Sequence, residues 1–145
     1  MRIISGQARG TKLFSLEGIE TRPTLDRVKE SLFNIISNRI YDSTVLDLFS
    51  GSGAIGLEFA SRGAKQVILS EKDNRFDIIY LDPPYKTDYI KDAIELIQKL
   101  NILNAKGIII AETDEPDRIE QQLKGLNIKE IDKRKYGRAS LFFIT

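Results

Sequence analysis

The tetrapeptide Asp82-Pro83-Pro84-Tyr85 follows an apolar run, Phe76-Asp77-Ile78-Ile79-Tyr80-Leu81. A strand that ends this way sets a carboxylate, a rigid carbonyl-bearing turn and an aromatic ring side by side at a sheet edge. Such a set can accept hydrogen bonds from a planar –NH2, stack on the ring that carries it, and present the nitrogen to a methyl donor. Asp82, Pro83, Pro84 and Tyr85 are therefore the candidate catalytic residues. Read alone, the same residues fit equally well a strand stopped by a proline turn, with Tyr85 half buried.

A second motif lies upstream, Asp47-Leu48-Phe49-Ser50-Gly51-Ser52-Gly53-Ala54-Ile55-Gly56. Glycines let the backbone turn sharply and approach a ligand closely. The helix that follows brings free N–H groups and a positive dipole end to the same crevice. Glu71, about 18–20 residues on, suits two ribose hydroxyls as a bidentate acceptor. Glycines and acid alone leave a nicotinamide dinucleotide and S-adenosylmethionine both open. Two details favour S-adenosylmethionine. Asp47 sits inside a strand, where a buried carboxylate is costly without a partner, and a methyl-acceptor motif ends a later strand. Asp47, Phe49, Ser50, Gly51, Ser52, Gly53 and Glu71 are the candidate cofactor-binding residues.

These motifs need an α/β scaffold. Thr44–Phe49 is an apolar run of the kind buried on both faces of a sheet. A helix carrying Ile55, Leu57, Phe59 and Ala60 ends at Gly63, a fitting residue just past a helix. Gln66–Ser70 is the next strand, which completes a βαβ unit. Further along, a helix is expected from about Thr87 to Leu100, a strand over Gly107–Glu112 and a helix near 116–123. Ile128–Lys135 and Ala139–Ile144 are expected to form a terminal hairpin around Tyr136-Gly137-Arg138. Thr24 is a plausible N-cap, and Leu25, Val28, Leu32, Phe33, Ile35 and Ile36 share one helical face. Residues 1–22 read as a small basic β-hairpin or loop, with short strand candidates at 2–5 and 12–15 punctuated by Gly6, Gly10 and Gly18.

Composition narrows the chemistry. The chain has 145 residues, enough for one domain with one core. Cysteine and histidine are absent, which removes disulfides, the usual zinc sites and every Ser-His or Cys-His nucleophile. No apolar run reaches the length of a membrane span, and the first residues are too polar for a secretory signal, so a cytoplasmic protein is expected. Net charge is +1 but uneven: residues 1–44 carry +2, residues 45–123 carry −5 and residues 124–145 carry +4. Basic ends around an acidic middle suit phosphate contact, although solvated surface charge is the commoner meaning of charges this sparse.

The chain resembles the bacterial 16S ribosomal RNA guanine-N2 methyltransferases of the RsmD type. The resemblance is carried by residues 5–13, by Thr21-Arg22-Pro23-Thr24, and by Val45–Glu58. It continues in Ser61-Arg62-Gly63-Ala64, Glu71-Lys72-Asp73, Asp82-Pro83-Pro84-Tyr85-Lys86 and Lys135-Tyr136-Gly137. It implies a Rossmann-like class I methyltransferase fold: a mostly parallel sheet with helices on both faces and a C-terminal antiparallel hairpin. It also implies S-adenosylmethionine as cofactor and methylation of one guanine N2 in 16S RNA, within assembled small-subunit particles, by a monomeric enzyme. Asp82 and the Pro83 carbonyl would accept the amine hydrogens, and Tyr85 would stack on the extruded base. Arg2, Arg9, Lys12, Arg22 and Arg138 would grip RNA phosphates. Residues 1–22 would form the RNA-contact hairpin and residues 23–145 the methyltransferase domain.

The sequence breaks the pattern after Glu71. Only Lys72-Asp73-Asn74-Arg75 separate two strands that should be parallel, whereas a parallel crossover needs a dozen or more residues. In this fold the two strands flank the Asp47 strand, about 9–10 Å apart, and the chain must also return about 17 Å. Five extended steps reach at most about 18 Å, short of the diagonal. Either the two strands form a local antiparallel hairpin, or a helix–strand–helix segment of about 40 residues belongs between Asn74 and Arg75. The second is expected, and that segment would hold the residues that grip the adenine ring.

Other functions remain possible on these residues. A DNA adenine-N6 methyltransferase uses the same tetrapeptide but usually carries a target-recognition domain, for which this chain has no room. A protein glutamine methyltransferase more often has Asn at position 82. A non-catalytic RNA-binding relic would follow if the gap after Asn74 is real.

Overall fold

The computed structural model describes residues 2–12, 23–48, 54–68, 75–83 and 88–145. Its elements in chain order are α1 (Pro23–Ile35), α2 (Ser37–Ile40), β1 (Thr44–Asp47), α3 (Ala54–Ser61), β2 (Gln66–Ile68), β3 (Phe76–Leu81), α4 (Tyr89–Leu100), β4 (Leu103–Thr113), α5 (Pro116–Leu123), β5 (Ile131–Tyr136) and β6 (Ala139–Ile144). The strands form one sheet in the order β2-β1-β3-β4-β6-β5. β2, β1, β3 and β4 run parallel, and β6 and β5 are antiparallel to their neighbours. This is the Rossmann-like architecture expected of the sequence.

Alternation of side chains along each strand divides the core between the two faces of the sheet. Leu46, Ile79, Leu81, Ile109, Ala111 and Phe142 pack under α4 and α5. Val45, Ile78, Tyr80, Ile110, Leu141 and Phe143 pack under α1 and α3. On α4 the buried residues Ile90, Ala93, Ile94 and Ile97 form one stripe, the 3.6-residue spacing of an amphipathic helix. Its end is closed by Asn101, which adopts the left-handed conformation with φ 51°, one that asparagine tolerates better than most residues. Phe59 of α3 meets Phe33 of α1 edge to face at 4.7 Å. The Arg62 guanidinium covers Phe33 at 4.5 Å, a cation–π contact that shields the ring from water.

Asp77 has a structural use. Its Oδ2 accepts the Thr44 N–H at 2.9 Å, and its Oδ1 accepts from Asn104 Nδ2 at 2.9 Å. One carboxylate thus ties the starts of β1, β3 and β4 together. It also accounts for β4 beginning at Leu103 rather than at Gly107, as the apolar run suggested. The register shifts between Phe76, which pairs with Leu103, and Ile78, which pairs with Ile108, so the stretch Asn104–Gly107 bulges out of the ladder between them.

One other expectation is corrected, the start of β5, and the N-terminal region is described only in part. The N-terminal hairpin is, among the described residues, a single antiparallel bridge from Arg2 to Lys12; residues 13–22 lie outside the described residues. Around the turn, the Ile3 N–H donates to the Thr11 carbonyl and the Gly10 N–H to the Ile3 carbonyl, each at 2.9 Å, while Gly6 and Gly10 take φ of +87° and +86°. β5 starts at Ile131 and includes Tyr136, because Tyr136 pairs with Ala139 and leaves Gly137-Arg138 as a two-residue turn. As expected, β2 and β3 do not pair as a hairpin. Both lie parallel to β1, one on each side.

Candidate active site

Parallel strands end at a common edge, and in open α/β sheets ligands bind outside that edge. Here β1, β3 and β4 each deliver an acid to it. Asp47 is the last residue of β1 and lies in register with Tyr80 of β3. Leu81 lies in register with Ala111, so Asp82 and Glu112, the next residues, follow on adjacent strands. Alternation turns Asp47, Tyr80 and Glu112 toward the face covered by α1 and α3. Tyr80, 2% exposed, donates its hydroxyl to Glu112 Oε2 at 2.5 Å.

The electrostatics of this edge are those of a site short of positive charge. Asp47 is 1% exposed. Burial pushes its carboxyl from 3.8 up to about 6, only partly opposed by the Gly56 N–H. Its Oδ1 has no hydrogen-bond partner among the described residues. Asp82 is raised further, from 3.8 to about 8, by desolvation and then by the charges of Glu112 and Asp47. The Asp82 residue is nevertheless exposed by area. Water on its open side tempers the desolvation, and repulsion from the two neighbouring carboxylates is the sturdier cause. Glu112 is also raised, by burial, against the bond from Tyr80. Tyr80 itself is raised well above 10 by burial and by the charge of Glu112, so its phenol keeps the proton that it donates.

A buried, partnerless carboxylate oxygen requires a donor, and three crowded acids favour a cationic or N–H-rich ligand. The residues present fit S-adenosylmethionine, whose positively charged methionine end would satisfy Asp47. They fit equally an amine that donates to Asp82. Pro83 is buried directly after Asp82. Pro84 and Tyr85 lie outside the described residues, as do Phe49, Ser50, Gly51, Ser52, Gly53, Glu71 and Arg22. The structure therefore brings together Asp47, Asp82 and Pro83 of the residues read from sequence.

The basic residues separate into two places. Arg138 is exposed in the β5–β6 turn, and β6 begins beside Thr113 at the end of β4, so that turn emerges on the Asp82 edge. The 2–12 turn instead lies along α3. Gln7 and Ala8 donate to the Ser61 carbonyl at 2.8 Å and the Ser61 hydroxyl at 3.0 Å. α3 runs away from the Asp82 edge, so Arg9 sits toward the opposite end of the sheet. Arg2, Arg9 and Lys12 are all exposed.

Sequence reasoning did not single out Glu112 or Tyr80. A signal existed: Gly107–Ala111 is an apolar run that ends in an acid, as Val45-Leu46 does at Asp47 and Ile78–Leu81 does at Asp82. Acids placed just where parallel strands stop converge on one edge.

No helix among the described residues is long and apolar enough to cross a membrane. The profile of the family described as conserved hypothetical protein 95 matches residues 1–76 and 70–145. Ribosomal RNA small subunit methyltransferase D of Haemophilus influenzae is 34% identical over 152 residues, covering 79% of this chain and 79% of that protein. The solved structure of yhhF from Escherichia coli, assigned there as a methyltransferase, covers 99% of this chain and 96% of that one. It has a TM-score of 0.79 and 27% identity. A more distant methyltransferase, SMU.776, solved with SAH, shares the fold with a TM-score of 0.60 at 19% identity, over 86% of this chain and 50% of that one. The chain belongs to the conserved hypothetical protein 95 family, that of the RsmD-type methyltransferases.

Proposed function

We propose that this protein transfers a methyl group from S-adenosylmethionine to the exocyclic N2 amine of a guanine in 16S ribosomal RNA, within assembled small-subunit particles. The observation that carries this reading is the convergence of Asp47 and Asp82 at one sheet edge, the first with an orphaned buried oxygen and the second raised by the acids beside it. Relatives whose names are those of small-subunit ribosomal RNA methyltransferases supply the substrate class. The cofactor would supply an electrophilic methyl on a sulfonium.

The chain's own residues would do the rest. Asp47 would take the donor groups of the cofactor's methionine end, with Phe49, Ser50, Gly51, Ser52 and Gly53 around them and Glu71 on the ribose. Asp82 and the Pro83 carbonyl would accept the two amine hydrogens. That localises the nitrogen lone pair, otherwise delocalised into the guanine ring, and aims it at the methyl. Pro84 would stiffen the turn and Tyr85 would stack on the base. Catalysis of this kind rests on positioning and on charges in place before the reaction. Arg2, Arg9, Lys12, Arg22 and Arg138 would hold RNA phosphates. Residues 1–22 would act as the RNA-contact region and residues 23–145 as the catalytic domain of a cytoplasmic monomer.

We also infer that about 40 residues belong between Asn74 and Arg75. β2 is an edge strand, where a further helix–strand–helix would extend the sheet and contact the adenine. The family matches in two overlapping stretches, and the alignment to the Haemophilus relative runs over 152 residues although it takes in 79% of a 145-residue chain. Both support the inference. An intact mass of about 20–21 kDa for the natural protein is expected on that basis; 16.5 kDa would move the reading to a non-catalytic relic.

The direct test offers labelled S-adenosylmethionine with unmodified small subunits, naked 16S RNA and duplex DNA. Label in the small subunit, mapped to a guanine N2, is expected. Label in DNA alone would sink the reading.

A further inference from the structure

The described residues contain a buried carboxylate that the proposed chemistry does not use. Glu58 of α3 is 0% exposed. Its Oε1 accepts the Ile4 N–H at 2.8 Å and lies 3.2 Å from Lys29 Nζ. Its Oε2 accepts the Ser5 N–H at 3.2 Å and the Arg62 Nε–H at 3.1 Å. Burial raises this carboxyl, but the amides, the guanidinium and the Lys29 charge outweigh it and hold it below its ordinary value. Lys29 Nζ donates onward to the Arg2 carbonyl at 3.1 Å.

One helical turn further, Ser61 completes the attachment. Its hydroxyl donates to the Ser5 carbonyl at 2.7 Å and accepts the Ala8 N–H at 3.0 Å. Its carbonyl, left free by the end of α3, accepts the Gln7 N–H at 2.8 Å. A Cβ on Gly6 would stand 2.0 Å from the Ser61 oxygen, so only glycine permits so close an approach. The basic residues are sorted by this arrangement. Lys29 and Arg62 are turned inward on Glu58, while Arg2, Arg9 and Lys12 are left facing solvent.

We propose that Glu58 and Ser61 are positioning residues for RNA recognition: they fix the 2–12 turn to α3 as a rigid strap, so that Arg2, Arg9 and Lys12 meet the RNA backbone already in place. α3 follows the glycine motif in sequence and, at eight residues, is about 12 Å long. A duplex phosphate track is longer than that. RNA held on the strap can therefore also reach the Asp82 edge, and α3 sets the distance between the two contacts. The strap costs little ordering on binding, because its amides are satisfied beforehand. This proposal rests on the functional reading above and adds to it the residues that place the RNA contact.

The test uses the full chain with Glu58→Gln and, because that variant leaves Lys29 and Arg62 short of their counter-charge, Ser61→Ala as a gentler second variant. Amide hydrogen exchange at residues 4–8 is expected to quicken in both. The KM for small subunits should rise about tenfold, and the salt dependence of subunit binding should flatten as phosphate contacts are lost. The kcat and the Kd for S-adenosylmethionine should stay within about twofold. Loosened amides with an unchanged subunit KM and salt slope would overturn the proposal, as would unchanged exchange at residues 4–8. A wild type that methylates no small subunit would overturn the functional reading, and this proposal with it; a working wild type whose variants keep its KM overturns this proposal alone.

Discussion

Glu58 and Asp47 are both carboxylates buried almost completely, at 0% and 1% exposure, and their chemistry is opposite. Glu58 has two backbone amides, a guanidinium and an ammonium around it and is held below its ordinary pKa. Asp47 has the Gly56 N–H and an orphaned Oδ1 and is raised to about 6. Burial raises both carboxyls, and the donors decide the outcome. An acid whose donors are all supplied by the chain holds structure together. An acid left short of donors is waiting for a ligand, and it weakens the fold in the meantime.

The comparison can be broken hardest at Glu58. Glu58→Ala leaves the buried Lys29 and the half-buried Arg62 without their partner and should cost about 3–5 kcal/mol of stability, read by denaturant unfolding. A change under 1 kcal/mol would show that the strap and its ion pairs are ornamental. Low pH should act in the same direction. The folded pKa of Glu58 lies below 4.5, so its stabilisation is complete above that value and is lost as pH falls through the lower folded value. Asp82→Ala should instead leave the melting temperature no lower than wild type, since it relieves repulsion from Glu112 and Asp47, and reduce kcat about 10²–10³-fold, the scale of one lost preorganised contact. Equal kcat would remove Asp82 from the chemistry.

Asp47→Asn tests the opposite sign. The folded pKa of Asp47 is above its unfolded value of 3.8. The charge therefore costs stability fully above about pH 6, and the cost is relieved as pH falls from 6 toward 3.8. Removing the charge should stabilise the protein at pH 7 by up to about 3 kcal/mol, while S-adenosylmethionine binds more weakly. A variant that is destabilised and still binds the cofactor normally would reverse the reading of this residue. The smallest effect is expected at Glu112. Free-enzyme kcat/KM should rise with pH through about 8 as Asp82 ionises. Glu112→Gln removes one of the charges that raise it, so the inflection should move to lower pH. An unmoved pH profile would mean that Glu112 does not act on Asp82.

Much of this was legible in the chain. Thr44–Phe49 read as a strand buried on both faces and Phe76–Leu81 as an apolar strand-like run, and Val45, Leu46 and Ile78–Leu81 are buried in the two halves of the core. The stripe on α4 and the glycine after α3 set those helix limits, because local periodicity and backbone freedom act within a few residues. Asp47 and Asp82 could be picked out because each ends such a strand. Glu112 and Glu58 were not picked out, since each is one acid among many until its partners are known. The Tyr80 hydroxyl lies 32 residues from Glu112, and the Ile4 amide lies 54 from Glu58.

Sequence by itself determined the order of strands and helices, the glycine turns and the acids at the strand ends, for these follow from side-chain period and local sterics. It also placed basic residues at both ends of the chain, though not their roles. Only the tertiary structure decided which acids are satisfied and which are left wanting, which of Arg2, Arg9, Lys12, Lys29 and Arg62 face outward, and that the N-terminal turn lies along α3 rather than at the Asp82 edge. The reason is physical: a charge inside a protein takes its character from groups brought to within about 3 Å by folding, and those groups come from anywhere in the chain.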